Sequence, residues 1–176
     1  MTYDYRPIRK NYLAHITVMW LFVLAGVSFA ASAALGPHPA LWQSVGLILL
    51  LPAIQLIARY LATRHLYRIR AYEDGDTDLE VYLYRGGDKM QLVCRVGLTE
   101  ITAVTPLGAQ NKRPPKGIKR YNYAPDLRPA EALVLSVSNA DGECEILLCP
   151  DARMAALLEK SKEARDVPLQ KDQTGV

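Results

Sequence analysis

Residues 11–58 contain no Asp, Glu, Lys or Arg, an uncharged run of 48 positions in a chain of 176. A helix on the surface of a water-soluble domain keeps one polar, charge-bearing face, so this run constrains the fold more than any other feature. All 18 acids and 21 bases fall in 1–10 or 59–176. The average composition, 50% hydrophobic and 22% charged with a net charge of +3, conceals that separation, because such averages are ordinary for a globular domain. The sequence after the run has room for one compact domain of about 100 residues. That excludes large multidomain enzymes and cofactor folds built from two halves.

The run divides into two apolar stretches, 12–35 and 41–61, each with the roughly 20 residues needed to cross a hydrocarbon core. Gly36, Pro37, His38, Pro39 and Ala40 lie between them. Two prolines and a glycine there predict a tight turn, so the stretches form a transmembrane helix hairpin. Arg6, Arg9 and Lys10 precede the first helix, Arg59, Arg64, Arg68 and Arg70 follow the second, and the turn has no base. The positive-inside rule then places both termini, including segment 1–11, in the cytoplasm of a two-pass protein. Tyr12, Tyr60 and Tyr67 are expected at the inner interface and Trp42 at the outer one. The basic start and the small residues Ala31, Ser32 and Ala33 resemble a signal-peptide cleavage site. The apolar stretch is about twice the length of a signal core, however, and a second follows directly.

Within the first helix Gly26, Ala30 and Ala34 recur every four residues, a small-residue face for close helix approach. It is expected to receive the second helix of the same chain, with homodimerisation as the alternative. His15, Gln43 and Gln55 lie toward helix ends, and Pro52 is expected to kink the second helix. Two spans without a buried charge read as an anchor rather than a channel or transporter.

Beyond residue 64 the pattern changes to short alternating runs at 66–72, 79–85, 90–96, 100–105, 119–123, 132–138 and 143–148, each predicted to be a strand. Met90, Leu92, Cys94 and Val96 are expected on one face of the third run. Turn chemistry separates several runs: Asp74-Gly75, Gly86-Gly87-Asp88 and Asp141-Gly142. Asp151 is a predicted N-cap for a helix whose apolar stripe is Met154, Leu157 and Leu158. The polar stretch 167–176 is expected to be a disordered tail.

Seven strands and one C-terminal amphipathic helix within 65–166 resemble the pleckstrin-homology-like (PH-like) barrel. The whole chain is similar to small bacterial membrane proteins of the YcxB-like kind, with a helix hairpin and a cytosolic PH-like domain. Lys119-Arg120-Tyr121-Asn122-Tyr123, Asp126-Leu127-Arg128-Pro129 and Cys149-Pro150-Asp151 are similar to a pattern in clostridial membrane proteins of that kind. The resemblance implies an α+β chain, a transmembrane α-hairpin followed by a PH-like barrel of about seven antiparallel strands, in a bacterial inner membrane. It implies no reaction. In lipid-binding PH members, headgroup-gripping bases sit on and between the first two strands. Here Arg68 and Arg70 are on the first strand, but the turn holds Glu73, Asp74, Asp76 and Asp78, so that headgroup site is not carried over.

Catalytic signals are sparse. His15, His38 and His65 are the three histidines, in or beside the helices or at the junction, which leaves the barrel without an imidazole base for a nucleophile. Cys94, Cys144 and Cys149 form no CxxC pair and are expected as free thiols. Asp74, Asp76 and Asp78 open like a calcium loop, but Leu79 and Arg85 stand where that loop needs glycine and an acid. No cofactor or metal is expected. The strongest binding signal is a basic stretch, Lys112, Arg113, Lys116, Lys119 and Arg120, with no acid between Glu100 and Asp126. Near an anionic leaflet each base contributes about 1 kcal/mol. Nucleic acid is a weaker candidate for a tethered protein.

The expectation is a non-enzymatic, membrane-anchored protein whose domain binds a protein partner or acts as a scaffold. An anionic-lipid sensor using 112–120 is the first alternative, and an accessory subunit of an enzyme or transporter the second.

Overall fold

The computed structural model describes residues 2–34, 38–73, 75–85, 89–108, 113–140 and 142–166, with side chains described as far as residue 160. Gly36 and Pro37 of the expected turn at 36–40, the tips at Asp74, 86–88 and Asp141, Lys112 of the basic stretch, and the tail 167–176 lie outside the described residues.

The chain is α+β. A short strand β1 (Thr2–Tyr5) precedes two long helices, α1 (Leu13–Ala34) and α2 (Pro39–Leu56). Then come β2 (Arg64–Ala71), β3 (Thr77–Tyr84), β4 (Met90–Gly97), β5 (Ile101–Pro106), β6 (Lys119–Asn122), β7 (Leu133–Asn139), β8 (Gly142–Leu148) and α3 (Ala152–Asp166). All seven predicted strands are present. β1 is additional, since segment 1–11 had no predicted structure. One sheet has the order β1-β2-β3-β4 and the other β5-β7-β8-β6. Pairing is antiparallel except between β6 and β8, which run parallel. The expectation of an all-antiparallel set is corrected there.

α1 and α2 pack against each other through a face of α1 that holds Ala14, Val18, Ala25 and Ser28. Gly46 and Ala53 are the buried residues of α2. A Cβ on Gly46 would lie 2.9 Å from Phe29 Cε2, so the absent side chain makes room for that ring. Ser28 Oγ donates to the Trp42 carbonyl at 2.6 Å, which satisfies a hydroxyl within the apolar pair. Gly26, Ala30 and Ala34 are exposed, and a Cβ on Gly26 would meet nothing within 4 Å. The predicted small-residue face therefore does not receive α2. Helical phase explains the correction, because Ala25 and Ser28 lie on a different side of the cylinder from Gly26 and Ala30.

Helix α2 starts at Pro39, where a missing N–H costs nothing. It ends in a π-turn, Ile57–Leu61, closed by Ala62 N–H on the Ile57 carbonyl at 2.8 Å.

The core lies between the two sheets. Tyr67, Ile69, Leu79, Val81 and Val96 come from the first and Ile101, Leu135, Val137, Ile146 and Leu148 from the second. Met154 and Leu158 of α3 complete it, one helical turn apart; burying such a side chain stabilises by about 1.5–3 kcal/mol. Leu157, placed in the same stripe by sequence, is exposed. Asp151 caps α3 as predicted, its Oδ1 accepting from Met154 N–H at 2.9 Å. Tyr67, expected at a membrane interface, is fully buried in this core, and its hydroxyl donates to the Tyr123 carbonyl at 2.7 Å.

The alternation of β4 is interrupted. Val81 pairs with Cys94 but Tyr82 pairs with Leu92, so Val93 is the extra residue of a bulge. One inserted residue turns every side chain beyond it to the opposite face. Met90 and Leu92 consequently leave the face of Cys94 and Val96 and stand opposite Tyr84 and Tyr82, 46% and 45% exposed.

Candidate site at the junction of hairpin and sheets

The segment before α1 is tied to the domain that follows α2. β1 pairs antiparallel with β2, from Thr2 opposite Arg70 to Tyr5 opposite Tyr67. Asp4 takes a two-pronged ion pair from Arg68, both contacts 2.7 Å, which holds the Asp4 carboxyl below its usual range. Tyr3 donates to Asp151 at the start of α3. Arg9 Nη2 donates to the carbonyls of Leu61 and Thr63 at 3.0 and 3.2 Å, just where the π-turn ends. The buried carboxylate of Asp126 accepts from the backbone N–H groups of Lys10 and Asn11 at 3.1 and 3.3 Å, immediately before α1. Negative charge at that place suits the helix dipole and its unpaired donors. Both chain ends of the hairpin thus reach one side of it.

Two adjoining cavities open at this junction. One, about 360 Å³, is lined by Arg6, Arg9, Arg64, His65 and Tyr84 among others. The other, about 340 Å³, is lined by Gln55, Arg59, His65, Arg85 and Tyr123 among others. Thr63 and His65 line both, and no acid among the described residues lines either. His65 belongs to β2, which corrects its placement outside the barrel. It is 9% exposed, its ring meets the Tyr123 ring edge-on at 6.0 Å, and its buried Nδ1 has no hydrogen-bond partner among the described residues. Burial, then the positive charges of Arg59 and Arg9, pushes its pKa down to about 4.

The predicted basic stretch does not form one patch among the described residues. Arg120 points into a buried ion pair with Glu145, at 2.6 Å, between β6 and β8. Lys119 is exposed and lies over the Tyr121 ring, 5.0 Å from its centroid. Arg113 and Lys116 are exposed in the preceding loop. Arg6, Arg9, Arg59 and Arg64 were legible only as charges flanking the apolar run, and their meeting with Arg85 around His65 was not.

The three cysteines are free and half-buried. Burial, aided by Asp126, pushes the Cys149 thiol up to about 12, and burial also raises Cys94. Such thiols are poor nucleophiles at neutral pH. No group of three or more His, Cys, Asp or Glu is placed to hold a metal among the described residues.

Comparison with protein-family models, curated proteins and solved structures gave no match. Two helices, Leu13–Ala34 and Pro39–Leu61, are long and apolar enough to cross a membrane. Little of either is buried within the chain.

Proposed function

We propose that this is a two-pass protein of a bacterial inner membrane, with both termini cytoplasmic, whose PH-like sheet domain is a non-enzymatic docking module. The pairing of β1 with β2 across the hairpin supports the reading, because it ties the segment before the first helix to the strand that follows the second. Bulky side chains along both helices support the anchor. Trp20, Phe22, Leu24 and Val27 of α1 and Leu47, Ile48, Leu51 and Ile54 of α2 are all exposed. So large an apolar surface is stable only against lipid or another apolar partner.

The surface that favours a protein partner is the outer face of the first sheet, where the bulge places Met90 and Leu92 beside Tyr84 and Tyr82. Aromatic and methionine side chains are enriched at interface centres. A photo-crosslinking residue at position 92 of the full chain, in native membranes, is expected to give one discrete adduct, reduced by Met90→Glu. The same residue at position 140, in the β7–β8 turn, is expected to give none. Identical adducts from both positions would remove the docking face. The alternative of an anionic-lipid sensor using 112–120 has Arg113, Lys116 and Lys119 as its exposed bases among the described residues.

A further inference from the structure

We infer that Arg6, Arg9, Arg59, Arg64 and Arg85, with His65 between them, form a binding site for the phosphate of an anionic phospholipid headgroup. The site rests on the membrane-anchor reading but not on the docking reading, and it is separate from the basic stretch 112–120.

Charge is the first ground. Four bases elsewhere are matched to acids, Arg68 to Asp4, Arg95 to Asp78, Arg120 to Glu145 and Lys10 to Glu131, whereas Arg113, Lys116 and Lys119 are in no ion pair among the described residues. None of the five junction arginines has a carboxylate partner among the described residues. Guanidinium groups offer paired donors that match phosphate oxygens. Arg9 already serves two carbonyls, and Arg6 lies over the Tyr84 ring at 5.9 Å. These contacts orient cationic groups without neutralising them.

His65 is the second and independent ground. An imidazole that lines both cavities, with one buried nitrogen unpartnered, is an exception to the rule that buried polar groups find partners. A phosphate oxygen supplies the missing partner once the ring turns that buried nitrogen toward the cavity. Its negative charge also offsets the positive charges of Arg59 and Arg9, which disfavour imidazolium.

Depth and size are the third. Arg9 stands just before α1, and Arg59 lies within the π-turn that ends α2. Gln55 and Ala58, from the last turns of the apolar helix, line one wall of the second cavity. This is headgroup level for a spanning hairpin. Cavities of about 360 and 340 Å³ fall in the range of small-molecule sites.

The test uses the full chain in mixed micelles of phosphatidylglycerol and phosphatidylcholine, with retained lipid read by native mass spectrometry. The wild type is expected to retain phosphatidylglycerol over phosphatidylcholine by at least about tenfold, as several interfacial bases acting together allow. In the triple variant Arg6→Gln, Arg64→Gln, Arg85→Gln, all exposed positions, the preference should fall to about twofold or less. The corresponding triple lysine variant should recover part of it. Arg113→Gln, Lys116→Gln, Lys119→Gln should leave it intact. Equal retention of the two lipids, or a preference lost only in the loop variant, overturns the site. Glycerol 3-phosphate added in excess should compete weakly; complete displacement by it would reassign the site to a soluble phosphate. Alkaline carbonate extraction of wild-type membranes separates the two failures. If the chain is released, the anchor reading falls; if it stays and shows no lipid preference, only the site falls.

Discussion

Arg120 and Glu145 are only 10% and 9% exposed at their side chains, and they face each other across the parallel pair β6–β8. Removing one partner of such a pair strands the other charge, at a cost of about 3–5 kcal/mol, whereas replacing both by apolar groups is often nearly neutral. Arg120→Met alone, which strands the Glu145 carboxylate, is therefore expected to lower stability by about 3 kcal/mol, and Arg120→Met with Glu145→Leu to recover most of it. Thermal and denaturant melts of the full chain in detergent measure both. Equal loss in the single and double variants would contradict the buried-pair assignment. His65 sets an acid limit. Its pKa is about 4 in the folded chain, against an ordinary value of 6.5, so between those values the unfolded chain binds a proton that the folded chain does not. Its contribution is fully present above about pH 6.5, is lost as pH falls toward 4, and is then flat, spanning up to about 3 kcal/mol. His65→Leu should flatten that part of the stability profile, while the carboxylate effects below it, such as Asp4 with Arg68, persist. An unchanged slope between pH 6.5 and 4 would remove His65 as its source.

Helix phase decides the hairpin. Gly46 faces Phe29 at a distance that admits no side chain without movement, and Gly26 faces open space. Gly46→Leu is expected to destabilise the helix pair by about 1–3 kcal/mol through overpacking, and Gly26→Leu to leave the melting temperature in detergent unchanged. The reverse ranking would mean that the small-residue stripe is the true packing face. The same physics explains which elements could be read from sequence. Strands β2 to β8 are bounded by turn residues and alternate over several positions, so their existence was legible. The bulge at Val93 was not, although apolar Val93 interrupts the alternation of β4, because only pairing with β3 shows it to be an extra residue. β1 is four residues long, too short for periodicity to register, and its partner lies beyond two apolar helices. The parallel direction of β6 also depends on a partner distant in sequence, β8.

At the scale of the molecule, the charge-free run gave the hairpin and its flanking bases gave an orientation, but neither revealed why those bases are where they are. Arg9 closes the end of the π-turn and Lys10 offers its backbone to Asp126, so bases read as topology signals also lock the hairpin to the sheets. The junction cavities draw on positions from Arg6 to Tyr123, a convergence that spacing along a sequence cannot display. The central claim is that the hairpin crosses the bilayer with the turn outside and both its ends held by one cytoplasmic domain. Cysteine labelling with a membrane-impermeant maleimide tests it most directly, comparing His38→Cys beside the turn with Ala140→Cys in the β7–β8 turn, each against the wild-type background of three half-buried thiols. The hairpin topology predicts that Cys at position 38 labels in intact cells and Cys at position 140 labels only after permeabilisation. Labelling of position 140 in intact cells, or of both positions only after lysis, would contradict it.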